Sequence, residues 1–379
     1  MKKIFNVRTI SQLVVLVFVL VLTIRHLNLG VEKAAPIDAF CPFGGVESFL
    51  TYITTGEFVR RINASSFIIL GIVLGLTLFF GRVFCGFFCP LGTLQEWLRK
   101  LGKKFGIKNE IELPKRVDYW ARYIKYGVLV VIVYFSWKMG DLVFRNYDPY
   151  NALMHLGNEF EEKPIGYSIL ILVLLSSLWV KNWWCRYFCP LGAFLAIVRK
   201  ISPFKITRNN NTCIKCSACD RSCVAGLDIE SQAEIKSADC VSCLRCVSTC
   251  PNGSLQLKIG QKSFSKKTFS WIVALSFLGL LLIATLSPIW KTKENSNIVL
   301  EETGEINMDN LRGSNTLKHV LEVTGLPLSV FVEKLGLPAD INKEIKLKDI
   351  GTKYQINNAQ GEPIETEDFR TLIEAELAK

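Results

Sequence analysis

Two cysteine runs between residues 213 and 250 constrain this chain more than any other feature of its sequence. Each run has the spacing Cys-x2-Cys-x2-Cys-x3-Cys, and the second run is followed by Pro251. In this spacing three close thiolates hold one [4Fe–4S] cubane, whereas the fourth cysteine reaches the cubane of the other run. The sequence therefore predicts two clusters with interleaved ligands, held by Cys213, Cys216, Cys219 and Cys250 and by Cys240, Cys243, Cys246 and Cys223.

Zinc and disulfide bonds are the alternative uses of closely spaced cysteines. Structural zinc sites are built from Cys-x2-Cys pairs, but they do not need three cysteines in each run and a fourth at a fixed offset. Disulfides are rare in the cytoplasm, which is where the charge pattern described below positions these runs. Val224 stands where the cluster pattern usually has proline, but that proline shapes a turn and is not a ligand. Residues 205–260 are therefore predicted to form a small α+β ferredoxin domain of the bacterial 2[4Fe–4S] type.

Apolar stretches occupy much of the remaining chain, and 50% of all residues are hydrophobic. A membrane-spanning helix needs about 20 apolar residues, and five stretches approach this length: 9–25, 62–81, 119–139, 164–184 and 268–290. The predicted fold is mainly α, a polytopic membrane helix bundle of about five spans. Residues 1–200 hold the first four spans, and the ferredoxin domain is inserted before the fifth. The first stretch also has the layout of a signal peptide, but Pro36 directly after Ala34-Ala35 disfavours cleavage, so we expect a retained anchor.

The positive charge is unevenly distributed along the chain, whose net charge is +11. Lys and Arg concentrate in 82–118 and 181–267, whereas loops 26–61 and 139–163 carry few. The positive-inside rule then predicts a multi-pass protein of the cytoplasmic membrane with its ferredoxin domain in the cytoplasm. Five spans leave residues 295–379 outside as a small soluble helical module. This module is acidic, and phosphate contacts need Lys or Arg, so nucleic acid is not expected as a partner.

A second cysteine motif occurs twice, at an offset of 100 residues. Residues 84–92 and 184–192 share Cys-x3-Cys-Pro-Leu-Gly, and the proline is well suited to begin a helix. Two copies of one unit commonly pack about a pseudo-twofold axis. That packing would bring four thiols together as a further redox or thiolate-bound metal centre, namely Cys85, Cys89, Cys185 and Cys189. The alternative is that these cysteines are only small buried hydrophobes.

Cysteine pairs after two membrane helices, followed by a double cluster motif, resemble the NapH/NosR-type membrane polyferredoxins. The segments Phe40–Glu47 and Tyr147–Tyr150 are also similar to that family, and the resemblance covers about residues 5–290. It implies electron transfer between the quinone pool, or cytoplasmic donors, and respiratory or metal-centre-assembly systems. NosR-like members of the family carry an additional flavin domain, and we expect no covalent flavin in this chain.

The leading functional hypothesis is a membrane-bound iron–sulfur protein that passes electrons between the quinone pool and a redox partner, either a reductase or a ferredoxin-like protein. It would serve a quinol-linked respiratory or reductase system, and no catalytic residue is assigned to it. A quinol or redox role is a hypothesis for Cys41, Asp148 and His155, because histidine can accept a proton near neutral pH. The alternative is a protein that senses redox state or assists assembly or regulation of a respiratory enzyme's metal centre.

Overall fold

The computed structural model describes residues 6–33, 41–55, 64–107, 111–139, 143–154, 164–287, 311, 313, 315–358 and 363–377. His155, one of the predicted quinol residues, lies outside the described residues. The chain divides into two compact units, residues 1–292 and 293–379, and each is described by itself.

Among the described residues, the first unit begins with ten α-helices, most of them apolar. A π-helical turn over Phe84–Phe88 follows α3, and a 3-10 turn over Val143–Asn146 precedes α7. The α-helices are α1 Val7–Lys33, α2 Pro42–Thr55, α3 Ala64–Phe80, α4 Pro90–Lys104, α5 Lys115–Ala121, α6 Ile124–Met139, α7 Pro149–Met154, α8 Pro164–Ser176, α9 Trp183–Tyr187 and α10 Pro190–Arg199.

The ferredoxin region of the first unit has four strands, two short helices and a final long helix. The strands form an antiparallel sheet in the order β2-β1-β3-β4, and Ile206 of β1 pairs with both Ile235 of β2 and Leu257 of β3. All three side chains are buried, as expected for one face of a half-buried sheet. In chain order the elements are β1 Phe204–Arg208, α11 Ala218–Ser222, β2 Glu234–Ile235, α12 Arg245–Thr249, β3 Leu255–Ile259, β4 Lys262–Phe264 and α13 Lys266–Leu286.

Two described helices are long and apolar enough to cross a membrane, α1 over Val7–Arg25 and α13 over Lys266–Leu286. The helices at the other three predicted spans are shorter. The stretch 119–139 is not one helix, because α5 ends at Ala121 and α6 begins at Ile124. The stretch 164–184 is interrupted in the same way, since α8 ends at Ser176. The arrangement of about five spans therefore stays a prediction.

The ferredoxin region and the helices share one hydrophobic core. The Phe88 ring stacks on Phe277 of α13 with 4.0 Å between centroids, and Phe204 of β1 lies 5.0 Å from Phe269. Phe87 is fully buried in the same core. Burial of such rings contributes about 1.5–3 kcal/mol each, so the ferredoxin region is packed onto the helices and is not a domain on a loose tether.

The second unit is a small helical module with its own core. Phe331 and Phe369 are fully buried and their rings stack with 6.2 Å between centroids. Thr316 caps the first helix by accepting a hydrogen bond from the His319 N–H, and Gly325 ends it at φ 66°. The four helices are α14 Leu317–Thr324, α15 Leu328–Leu335, α16 Leu347–Tyr354 and α17 Thr366–Leu377.

Candidate iron–sulfur centres

The eight cysteines of the two runs line two separate cavities. Cys223 lines one cavity together with the first three cysteines of the second run, and Cys250 lines the other with those of the first run. We call these groups the inner set, which consists of Cys223, Cys240, Cys243 and Cys246, and the outer set, which consists of Cys213, Cys216, Cys219 and Cys250. The structure thus brings together cysteines from different runs.

Left-handed backbone positions curl each run around its cavity. Lys215 and Ser217 have φ of 53° and 51°, and the residues 27 positions later, Ser242 and Leu244, have φ of 49° and 58°. A non-glycine residue in this region costs of order 1–3 kcal/mol and is kept only where its surroundings require it. The same conformation occurs at matching positions of both runs. This indicates that each loop is shaped to direct its successive thiols into its own cavity.

Backbone N–H groups approach the fourth cysteine of each run in the same way. The Leu227 N–H donates to the Cys223 sulfur at 3.4 Å, and the Ser254 N–H donates to the Cys250 sulfur at 3.3 Å. Such N–H···S hydrogen bonds stabilise negative charge on cluster sulfurs and tune the reduction potential. The two sites therefore share a ligand environment as well as a ligand spacing.

The donor sets fit [4Fe–4S] clusters better than single metal ions. Within the described residues, no three His, Cys, Asp or Glu side chains converge closely enough to hold one ion. A cubane instead needs its thiolates spread around it, since each binds a different iron. Burial raises the pKa of Cys223 to about 12, so this thiol would lose its proton only when it binds a metal.

Arg199 supplies a further sign that the inner set holds an anion. This side chain is 3% exposed and interacts electrostatically with Cys240. Its Nη1 donates to the Phe204 carbonyl at 2.8 Å, and the guanidinium also hydrogen-bonds to the Cys240 side chain. A buried cation is costly without compensating negative charge. The negative charge of a bound cluster would provide that compensation.

The four cysteines of the duplicated motif also come together. Cys85 lies in the π-helical turn and Cys185 in α9, while Cys89 and Cys189 directly precede α4 and α10. Burial and the nearby thiols Cys185 and Cys85 raise the pKa of both Cys89 and Cys189 well above the usual value. The Gln95 amide donates to the Cys185 sulfur at 3.4 Å. We call these four cysteines the membrane pairs.

Arg82 is a residue of this centre that sequence analysis missed. It was counted only as a positive loop charge, but it is 2% exposed and its guanidinium lies 3.9 Å from the Cys85 sulfur. It also interacts electrostatically with Cys189 and with Asp239, the residue before Cys240. The available signal was its position directly between an apolar stretch and the Cys-x3-Cys motif. A cation here can balance thiolate charge at the membrane pairs.

Cys41 and Asp148 lie beside the membrane pairs. Both interact electrostatically with the half-buried Tyr150, as does Cys89, and Asp148 also interacts with Cys189. Asp148 accepts a hydrogen bond from the Tyr150 N–H at 2.9 Å. The sequence predicted a quinol or redox role for both residues in separate loops, and it gave no indication that they approach the membrane pairs. Short helices beginning at Pro42 and Pro149 explain the difference, because they carry the preceding residues into the helix packing.

A salt-bridge network fixes the ferredoxin region beside the start of α6. Asp239 pairs with both Lys125 and Arg122, the latter at 3.2 Å. Arg122 also pairs with Asp118 at 2.9 Å, and Asp118 pairs with Arg186 of the second motif copy at 2.5 Å. Burial works to raise the pKa of Asp239, but Lys125 and its other cationic neighbours outweigh burial and lower it. The charged carboxylates of Asp118 and Asp239 therefore hold the ferredoxin region beside α6 and the second motif copy.

Comparison with known proteins identifies related sequences. The family described as "4Fe-4S binding domain" matches twice, over residues 62–108 and 163–209. Each match contains one membrane pair and neither contains the eight cysteines of the inner and outer sets. No solved structure matches the chain.

Three relatives illustrate the extent of the similarity. YccM of Escherichia coli is 29% identical over 276 residues, which cover 69% of this chain and 76% of YccM. The uncharacterized protein MJ0750 of Methanocaldococcus jannaschii is 32% identical over 226 residues, which cover 59% of this chain and 89% of that protein. The ferredoxin-type protein NapH of Haemophilus influenzae is 28% identical over 198 residues, covering 50% of this chain and 64% of NapH. The chain belongs to the NapH/NosR-type family of membrane-bound 4Fe–4S ferredoxins.

Proposed function

We propose that this protein transfers electrons between the quinone pool and a redox partner protein, with one [4Fe–4S] cluster in the inner set and one in the outer set. The observation that carries the proposal is the pair of four-cysteine cavities in a region that shares its core with apolar helices. Bound clusters would supply one-electron carriers at these two positions. The described residues offer no arrangement that we assign to bond-making catalysis.

A multi-pass arrangement in the membrane supports access to quinone. Besides α1 and α13, the shorter helix α6 exposes apolar side chains, with Val130 67% and Val131 54% exposed. Exposed aromatic residues lie near both its ends, Tyr123 at one and Trp137 at the other, as in the aromatic belts of membrane helices. We therefore keep about five spans, a cytoplasmic ferredoxin region and an external C-terminal module as the proposed topology.

We further propose that the membrane pairs form a redox centre on the path to quinone, either of the thiols themselves or of a thiolate-bound iron–sulfur cluster. Support comes from the mutual proximity of the four thiols and from the two matches of a 4Fe–4S family over these cysteines. The nearby Cys41 and Asp148 remain candidates for the quinol side, and Asp148 could accept a proton from quinol. His155 remains a candidate on its sequence position.

Anaerobic purification, with iron, sulfide and zinc analysis and EPR spectroscopy, tests the proposal. Two cubanes require about eight irons per chain, and more iron would indicate an additional centre. Reduced clusters should appear by EPR when duroquinol is added under anaerobic conditions. Iron near zero with stoichiometric zinc would overturn the cluster assignment. Clusters that duroquinol does not reduce, and that duroquinone does not reoxidise after reduction with dithionite, would overturn the link to quinone.

The double variant Cys85→Ser with Cys185→Ser separates the two parts of the proposal. It removes one thiol from each membrane pair and leaves the inner and outer sets intact. We expect this variant to retain both cubane signals after dithionite reduction and to lose reduction by duroquinol. An unchanged rate of quinol-driven reduction would exclude the membrane pairs from the path.

A further inference from the structure

We propose that the two cysteine sets work in a fixed order, the inner set exchanging electrons with the membrane pairs and the outer set with the soluble partner. Gly86 and Arg186 would be the positioning residues that hold the inner set against the membrane pairs. This inference rests on the proposed electron-transfer function and adds the order of its carriers. It follows from four features of the interface, each described below.

The first feature is the close approach of the second cysteine run to Gly86. Gly86 lies between the two cysteines of the first membrane pair. A β-carbon at this position would overlap the carbonyl oxygen of Val241 and would lie 3.2 Å from the α-carbon of Cys243. Arg8 donates to the Gly86 carbonyl at 2.7 Å and fixes the turn from the other side. Only glycine lets the inner-set loop approach this closely.

The second feature is the contact made by the equivalent residue of the other motif copy. Arg186 is 100 positions after Gly86, and its guanidinium packs on Gly226, where a β-carbon would lie 2.5 Å from Cζ. Gly226 lies three residues after Cys223, the inner-set cysteine that comes from the first run, and it has φ 60°. Arg122 donates to the Gly226 carbonyl at 2.9 Å. The two motif copies thus hold two different loops of the same cysteine set.

The third feature is a cavity shared by the membrane pairs and the inner-set loops. Its lining includes Cys85 and Cys185, one thiol from each pair. It also includes Val224 and Val241, each next to an inner-set cysteine in sequence. Arg82 and Asp239, which carry opposite charges, also line this cavity. The cavity beside the membrane pairs is therefore bordered by loops of the inner set, and no residue of the outer set lines it.

The fourth feature is the contrast in exposure between the two sets. Cys223, Cys240 and Cys246 are 8%, 8% and 7% exposed, and Cys243 is half-buried. In the outer set Cys216 is exposed, the other three cysteines are half-buried, and Ile214 beside Cys213 is 61% exposed. In the part of the chain that the structure describes, the residues lining the outer cavity all fall between Arg208 and Leu255. The outer cavity is thus lined by residues of the ferredoxin region alone, and its exposed Cys216 is open to a soluble partner.

A water-soluble gadolinium chelate tests this order without relying on quinone. EPR signals of the dithionite-reduced protein are first assigned with Cys216→Ser, which alters the outer set, and Cys243→Ser, which alters the inner set. The chelate should speed spin relaxation of the outer-set signal and leave the inner-set signal nearly unchanged. Equal effects on both signals, or a stronger effect on the inner one, would overturn the order.

Gly86→Ala tests the positioning role, with Gly75→Ala as its matched control. A β-carbon on Gly75 in α3 meets no atom within 4 Å, so the control adds the same methyl group in open space. Small displacements of reacting groups can cost large rate factors, so we expect Gly86→Ala to slow duroquinol-driven reduction by at least about tenfold. Iron content and dithionite reduction should stay as in the wild type.

The outcomes separate this inference from the function on which it rests. Wild-type rates of quinol-driven reduction in an iron-replete Gly86→Ala variant would overturn the positioning role. If Gly86→Ala loses its iron, the gadolinium measurement on the wild type still decides the order of the sets. If the wild type contains both clusters but exchanges no electrons with duroquinol or duroquinone, the quinone link fails while the relaxation contrast still tests the order.

Discussion

The carboxylate of Glu96 in α4 lies 3.4 Å from the guanidinium of Arg245, which sits between two cysteines of the inner set. Arg8 of α1 and Lys100 pair with the same carboxylate. The Glu96 side chain is only 3% exposed. Burial works to raise the pKa of Glu96, but Arg8, Arg245 and Lys100 outweigh it and lower the pKa to about 2. One buried anion therefore joins the N-terminal helix, the first motif copy and the ferredoxin region.

Replacing this anion should destabilise the first unit. Glu96→Gln would leave Arg8 and Arg245 without their shared counter-charge, and breaking a buried ion pair costs about 3–5 kcal/mol. A depressed carboxyl pKa contributes stability above the unfolded value of 4.5, and that stability is lost as pH falls through the folded value. The difference between variant and wild type should therefore stay constant between about pH 5 and about pH 8. Thermal unfolding in detergent, followed by circular dichroism, measures it.

An exposed ion pair provides the control for Glu96. The Glu112 carboxylate lies 3.7 Å from Lys181, but its side chain is 71% exposed. Glu112→Gln should change stability by less than about 1 kcal/mol, because solvent screens such pairs. Equal effects of the two substitutions would show that the Glu96 network does not join the elements as we describe.

Two arginines should tune the two clusters separately. Arg199 lies beside Cys240 of the inner set, and Arg208 hydrogen-bonds to Cys213 of the outer set. Loss of a nearby cation disfavours an added electron, so Arg199→Gln should lower the inner-set reduction potential by tens of millivolts, the equivalent of about 1 kcal/mol. Arg208→Gln should lower the outer-set potential alone. Potentiometric titration followed by EPR measures both.

Arg199→Lys is the matched variant for this prediction, because it keeps the charge and removes the planar guanidinium. Its inner-set potential should stay close to that of the wild type. A shift as large as that of Arg199→Gln would attribute the effect to lost hydrogen bonds and not to charge. A shift of the outer-set signal in either Arg199 variant would contradict the assignment of Cys240 to the inner set.

Serine substitutions at the fourth cysteine of each run test the interleaving. Cys223→Ser should damage the inner-set cluster, although Cys223 belongs to the first run, and Cys250→Ser should damage the outer-set cluster. Each variant should lose up to about four of roughly eight irons and one of two EPR signals. Iron analysis and the signal assignment from Cys216→Ser and Cys243→Ser check the outcome. Loss of the signal from the variant's own run would show that each run binds its cluster alone.

Reporter fusions test the proposed topology. Alkaline phosphatase fused after residue 379 should be active, because the positive-inside pattern puts the C-terminal module outside. Green fluorescent protein fused to a truncation at Ile107 should fluoresce, since that loop should be cytoplasmic. The reverse pattern at residue 379 would require an even number of spans or the opposite orientation.

The arrangement of the eight cysteines could be predicted because cluster geometry restricts ligand spacing. The distance from Cys219 to Cys223 along the chain is the same as that from Cys246 to Cys250, so one rule covers both runs. The offset of 100 residues similarly pointed to the proximity of the membrane pairs. In both cases the spacing of residues in the sequence is itself enough to predict which cysteines come together.

Other features could not be predicted, because they depend on contacts between distant segments. Gly86 and Arg186 occupy equivalent places in two similar motifs, and nothing local indicates that one must admit Val241 while the other packs on Gly226. The charge and position of Arg82 indicated an exposed loop residue, but its side chain is buried. Hydrophobicity also cannot show where an apolar stretch is broken, as at Arg122 between α5 and α6.

The unequal solvent accessibility of the two cysteine sets has a consequence when the protein meets oxygen. Oxidants attack accessible thiolates first, and Cys216 is exposed whereas Cys240 and Cys246 are buried. Oxygen damage should therefore begin at the outer set, which loss of its EPR signal before the inner one would reveal. A protein damaged in this way would stay connected to the membrane but be cut off from its soluble partner. In the proposed order of carriers, oxygen would therefore stop electron exchange with the soluble partner before it damages the inner set.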